Sequence, residues 1–279
     1  MRFPTTGWTA ASLMAVAVGV TACGLFKGSP QPELVTRTSY QPFGANYRGV
    51  SVSRITQHFE EQGTETEFGM QYFVRADVIP AGTTLETTFV LDSILLFDGA
   101  SGGISETQVD SARGATFSGI LAPNGHLSDF GGGESSGSLA RELADRSLRP
   151  FFPLIPAQGA EAGAAWADTV ATQMVVNGLD NTVQLVNEHS ALEWTLHAGE
   201  RALHIVTVSN YTFNGSGTQS GREFTIEGHG RRHIHSYLSE AGRYLGLVSA
   251  DTSEGQALLT DLDMVIPIYQ TRIDSLSTR

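Results

Sequence analysis

The chain has 279 residues, with 17 Lys+Arg against 29 Asp+Glu and a formal net charge of −12. Such an acidic surface repels phosphate backbones, which excludes nucleic acid as a partner. Charged residues make up only 16%, and 31 glycines stand beside a single cysteine. This composition fits a turn-rich β protein held by its core, not a helical bundle, a disordered tail or a disulfide scaffold.

Residues 1–22 have the form of an export signal. Arg2 supplies the positive start and residues 10–20 (AASLMAVAVGV) the apolar core, far shorter than the ~20 residues of a membrane-spanning helix. The core runs into Val20-Thr21-Ala22-Cys23, a branched apolar residue and two small ones before the sole cysteine. The string resembles the lipobox of bacterial lipoproteins. That resemblance implies cleavage between Ala22 and Cys23 and acylation of Cys23, which then anchors the protein to a membrane and serves as neither nucleophile nor metal ligand. Residues 23–33 hold Gly, Ser, Pro and the only lysine, Lys27, and read as a tether. Gly24 stands directly after the cysteine, and the absence of an aspartate there is compatible with onward transport to the periplasmic side of the outer membrane.

The tract from 34 to 150 alternates with period two. Phe68, Met70, Tyr72, Val74, Ala76 and Val78 fall on one face of a strand, with Gly69, Gln71, Arg75 and Asp77 on the other. After a turn at Pro80-Ala81-Gly82, Leu85, Phe89, Leu91, Leu95 and Phe97 continue in a strand that is also apolar at Val90, Ile94 and Leu96. It is expected to be central and covered on both faces. Ser105-Glu106-Thr107-Gln108 has the form of a capping box before a short helix, and Pro123-Asn124-Gly125 marks a hairpin. The spacing of Leu139, Leu143 and Leu148 predicts an amphipathic helix over 138–149 with Ser138 as N-cap, stopped by Pro150.

Residues 151–169 carry Pro153, Pro156, two glycines and Trp166. The prolines fix φ and remove amide donors, so an extended strap is expected, with Phe151, Phe152, Leu154, Ile155 and Trp166 pinning it to its neighbours. From 170 to 279 a second β-rich half follows, with turns at Gly199, Asn214-Gly215 and Gly242. Pro267 should confine its strand to an edge or a bulge.

Pro156, Gly163 and Trp166, taken with the lipobox and the two β-rich halves, resemble a family of uncharacterised β-rich bacterial envelope lipoproteins without assigned function. Ala164-Ala165 stand where that family carries a polar pair. The resemblance implies an exported, lipid-anchored protein of the cell envelope. At fold level the layout is also similar to the half-barrel lipoprotein carriers that hold acyl chains in a curved sheet.

Catalytic strings are scarce. Gly133-Glu134-Ser135-Ser136-Gly137 matches the nucleophile elbow Gly-x-Ser-x-Gly, but a glycine run stands where the elbow needs a buried strand. His233 and His235 share a strand face, a spacing that β-sheet metal sites use. No carboxylate or cysteine is fixed beside them and Arg231 repels a cation, so a solvated polar face is expected, with Gly228 and Gly230 as points where the strand can kink. Neither metal nor cofactor is expected.

The expected fold is therefore mostly β. Two associated antiparallel halves form curved sheets or a half-barrel, with one or two short helices and the 138–149 helix across the concave side. Two functional classes remain open. One is a non-enzymatic envelope module that binds an apolar ligand or a protein partner through its inner face, with Phe68, Tyr72, Phe89 and Trp166 as ligand-facing candidates. The other is a serine hydrolase using Ser135, with His126 or a later histidine as base. A purely structural envelope role is the remaining outcome.

Overall fold

A computed structural model describes residues 37–279 apart from 60–61, 102–103, 135, 177–178 and 220–221. The chain runs β1 (Arg37–Thr38), β2 (Phe43–Phe59), β3 (Gln62–Ala81), β4 (Thr84–Ser101), α1 (Glu106–Ala112), β5 (Thr116–Leu121) and β6 (Leu127–Gly132). Helix α2 (Ser138–Leu143) continues into a π-helical turn (Ala144–Leu148). Then come β7 (Ala160–Glu161), β8 (Ala165–Val176), β9 (Leu179–His197), β10 (Glu200–Gln219), β11 (Arg222–Ser239), β12 (Tyr244–Leu259) and β13 (Met264–Thr278).

Eleven strands form one antiparallel sheet in the order β6-β5-β4-β3-β2-β13-β12-β11-β10-β9-β8. Strands β6 and β8 are its two edges, so the sheet is open and not closed into a barrel. The two β-rich tracts are halves of this single sheet. They meet at its centre, where β13 pairs with β2 from Ile268↔Gln57 to Thr278↔Tyr47. β1 and β7 form a separate two-stranded clip. The long strands reach 20 residues, about 65 Å at the usual rise per residue.

Alternation decides which face is buried. Met70, Tyr72, Val74, Ala76 and Val78 of β3 are all buried, while Arg75 between them is exposed. The strand β4 departs from the expected two-sided burial. Its register against β3 shifts between Leu91 and Ser93, leaving Asp92 unpaired. Such a bulge inverts the alternation. Phe89 and Leu91 point inward before it and Ile94 after it, whereas Leu95 and Phe97 end up exposed on the outer face. Pro267 also differs from expectation, because β13 is central. Pro267 faces Gln256 of β12 with no register shift, and pairing to β2 begins one residue later, at Ile268. The missing amide thus sits where the strand has no neighbour on that side.

The core lies at one end of the sheet, under the helices and the strap. Ser105 and Gln108 form the capping box of α1. In α2 the cap is Gly137, without a side-chain bond, in place of Ser138. Leu139, Leu143 and Leu148 are buried together despite a five-residue final step. An α-helix would rotate Leu148 off that face. The π turn, with Arg149 N–H donating to Ala144 O at 2.8 Å, brings it back. Phe151 and Phe152 then sit against Tyr47, Phe89 and Tyr244, that is, against strands from both halves, with ring centroids 5.0 to 6.0 Å apart for Phe89 and Tyr244. The turn between β5 and β6 docks on the strap. Ile155 N–H donates to Asn124 O, and Gly125 (φ 88°) leaves room for the Pro153 carbonyl that a Cβ would strike. The extended segment ends where β8 begins, so Trp166 belongs to the edge strand.

Candidate functional site

The sheet face that carries the core divides along its strands into three zones. Next to the helices it is apolar, with Val74, Phe89, Leu203, Leu238 and Tyr244 in one buried cluster. A polar band follows. One cross-strand row runs Asp168, Asn187, Ser209, Arg232, Asp251, Arg272, Ser53, Phe68 from the β8 edge to β3. The row beside it includes His189, Thr207, Ser249, Asp274 and Ser51. Beyond the band the face turns apolar again at Phe213, Phe224, Ile226 and Ile268, which are half-buried.

The middle of the band is a set of ion pairs. Arg232 donates from Nε (2.9 Å) and Nη2 (2.7 Å) to Asp251 Oδ2, and the Tyr211 hydroxyl donates to Asp251 Oδ1 at 2.8 Å. Arg272 Nε donates to Asp274 Oδ1 at 2.8 Å, and Ser249 approaches the other oxygen of that carboxylate. Asp251 and Arg272 are both buried, and buried charges persist only when paired and hydrogen-bonded. The π turn adds a third guanidinium. Arg146 meets Glu142 at 3.4 Å, and burial followed by the neighbouring Arg272 lowers its proton affinity. For Arg232, burial also works against the charge, but Asp251 outweighs it and the net shift is upward. Burial pushes the Tyr72 and Tyr211 phenols up to about 12, and the nearby carboxylates Asp274 and Asp251 act in the same direction.

At the β8 edge the band becomes a lock. His189 Nε2 lies 2.7 Å from Asp168 Oδ2, and its Nδ1 lies 2.8 Å from Thr207 Oγ1. Asn187 donates to the other Asp168 oxygen at 2.7 Å. Trp166 stacks on His189 at 5.2 Å and donates to Leu154 O at 3.0 Å. Acid, imidazole and hydroxyl are the groups of a hydrolytic triad. Here the ring and the hydroxyl are both only 4% exposed, which leaves no path for a substrate carbonyl. The arrangement instead ties β8 to β10 across β9.

The four ligand-facing candidates part company. Phe89 is fully buried against Phe130, Phe151 and Phe152, so it is solid core and faces no ligand. Tyr72 stands at the border between core and band, within reach of Ser147, Asp274 and Arg272. Phe68 ends the Arg272 row, and Trp166 belongs to the lock. Ser135, Ala22 and Cys23 lie outside the described residues. His126 is exposed in the turn between β5 and β6.

His233 and His235 point outward. His235 stacks on His204, with Nδ1 3.0 Å from His204 Nε2, and burial followed by His235 lowers the His204 pKa. Among the described residues no group of three or more metal-ligating side chains forms. Gly228 and Gly230 do not kink β11, whose register runs unbroken through both. A Cβ at Gly228 would strike the Phe213 ring and the Glu254 carbonyl, and one at Gly230 the Tyr211 ring and the Thr252 carbonyl. The outer face also carries an open groove of about 760 Å³, lined by Asn210, Thr212, His229, Arg231, Glu254 and Tyr269 among others.

Sequence reasoning missed Arg232, Asp251 and Arg272. The signal was parity. Arg232 has the same parity as Phe224, Ile226, Ile234 and Leu238, and Arg272 the same as Ile266, Ile268 and Leu276. A charge on the apolar face of an alternating strand is a buried charge. No protein-family model matches the chain, and no curated protein is recognisably similar to it in sequence.

Proposed function

We propose that the protein is a lipid-anchored, non-enzymatic module of the cell envelope that holds an apolar ligand on the inner face of its open sheet. One observation carries this reading. The second apolar zone, at Phe213, Phe224, Ile226 and Ile268, does not belong to the buried cluster that α1, α2 and the strap close. An apolar surface of this kind, beside a polar band, is the pattern of a binding site. Gly228 and Gly255 extend it by letting Phe213 lie flush with the sheet. Anchorage through Cys23, and a place at the outer membrane, rest on the lipobox string. The hydrolase reading has less support, because the one described acid–imidazole–hydroxyl set is closed to substrate.

The test is mass spectrometry of organic extracts from the purified chain carrying Cys23→Ser, run beside a generic esterase assay. Co-purified lipid without turnover is the expected result. An extract empty of lipid, from protein that also fails to take up a long-chain lipid, would leave a structural or partner-binding role. Turnover abolished by Ser135→Ala would replace the reading with a hydrolase.

A further inference from the structure

We propose that the ligand is an anionic amphiphile, a single-chain lipid whose carboxylate or phosphate head docks at Arg146, Arg232 and Arg272 while its chain lies along the second apolar zone. This rests on the reading above and deepens it. Three guanidiniums share the band with the carboxylates of Glu142, Asp168, Asp251 and Asp274, but the hydrogen-bonding capacity of the guanidiniums is unevenly used. Arg232 commits Nε and Nη2 to Asp251. Among the described residues Arg272 makes its carboxylate contact through Nε alone, to Asp274, which leaves both terminal amino groups for another acceptor. Arg146 has a single ion-pair contact among the described residues, at 3.4 Å, through one terminal amino group. A guanidinium has five donors in a planar fork that suits the paired oxygens of a carboxylate or phosphate. Arg146 also lies close enough to Arg272 and Arg232 to feel both as like charges, a repulsion that a bound anion removes.

Position supports the same assignment. The band lies between the solid core and the second apolar zone, so a head held there can send its chain only away from the core. On β11 the distance from Arg232 to Phe224 is eight residues, about 26 Å at the usual rise, crossing the Tyr211, Ser253 and Gln270 row before the apolar residues begin. That length suits a long acyl chain. A neutral apolar molecule would leave the spare arginine donors without an acceptor, which disfavours it.

The experiment uses the full chain with Cys23→Ser, so that no acyl group on its own cysteine competes. Equilibrium dialysis compares radiolabelled palmitate with monopalmitoylglycerol, which has the same chain and no charge. Palmitate should bind at least tenfold more tightly. Arg146→Gln should weaken palmitate about tenfold and leave monopalmitoylglycerol unchanged. If neither lipid binds the Cys23→Ser chain, the apolar-ligand reading itself falls. If both bind alike and Arg146→Gln changes nothing, the anion site is wrong while the apolar zone stands. Equal weakening of both lipids makes Arg146 a structural residue and overturns the site. Should the Gln variant fail to fold, salt decides with the Cys23→Ser chain alone. Palmitate affinity that falls with ionic strength, while monopalmitoylglycerol affinity does not, upholds the site; equal indifference overturns it.

Discussion

Asp251 holds two partners at once, Arg232 by both donors on one side of its guanidinium and Tyr211 by its hydroxyl. Asp251→Ala strands a largely buried guanidinium and should lower unfolding free energy by roughly 3 kcal/mol, read from urea denaturation. The double variant Asp251→Leu/Arg232→Met removes both charges and should recover most of that loss. Five buried or half-buried phenols give a pH signature. Tyr72 and Tyr211 have folded pKa values of about 12 against the ordinary 10.0. The unfolded chain therefore releases these protons first. Stability should be level up to about pH 10 and fall as pH rises through 12 and beyond, because the buried Tyr40, Tyr47 and Tyr244 are held higher still, and Tyr211→Phe should make the fall shallower. None of this was visible in residue type alone. Arg232 sits between Arg231 and His233, and a string of polar residues reads as solvent-facing until strand parity is applied to each one.

At the scale of elements, glycine placement is as informative as apolar placement. Gly49 lies opposite Tyr72 across β2 and β3, and a Cβ there would fall within the Tyr72 ring, with no backbone among the nearest atoms. Gly49→Ala should cost about 1–3 kcal/mol. In Tyr72→Ala the same change should cost much less, so the pair will be clearly non-additive in a double-mutant cycle. The alternation of β3 was legible because nothing interrupts it over its buried stretch. That of β4 was not, because one unpaired residue at Asp92 inverts the faces halfway and imitates a strand buried on both sides. The helix after β6 was legible as an apolar stripe. Its last turn was not, since the widening that returns Leu148 to the core leaves only a five-residue step in the string. The band escaped for a related reason. It is assembled across eight strands, so its members are far apart in sequence and neighbours only through register.

At the scale of the whole molecule, the sheet depends on one seam. β13 is the only element that joins β12 to β2. It also supplies Arg272 and Asp274 to the polar band. Deleting residues 264–279 should abolish cooperative unfolding in a denaturant titration, whereas deletions confined to an edge strand should only weaken it. The proposed membrane attachment is a separate matter, resting on the resemblance of residues 20–23 to a lipobox. Intact-mass measurement of the membrane fraction should show a chain beginning at an acylated Cys23, and Cys23→Ser should remain unprocessed.

The central place of β13 has a consequence in time. A chain made from its N-terminus delivers β2 early and β13 last, yet these two are neighbours. Until β13 arrives, each wing of the sheet exposes a long unpaired edge, and the contacts that join the wings lie at the core end, in the aromatic contacts of the strap and in direct bonds such as Tyr47 hydroxyl to Tyr244 O and Gln41 N–H to Gly242 O. Exposed strand edges of this length invite pairing with other chains, and long-range pairing of this kind forms slowly. The step that completes the inner face of the sheet and the step that covers its central unpaired edges are thus the same late event.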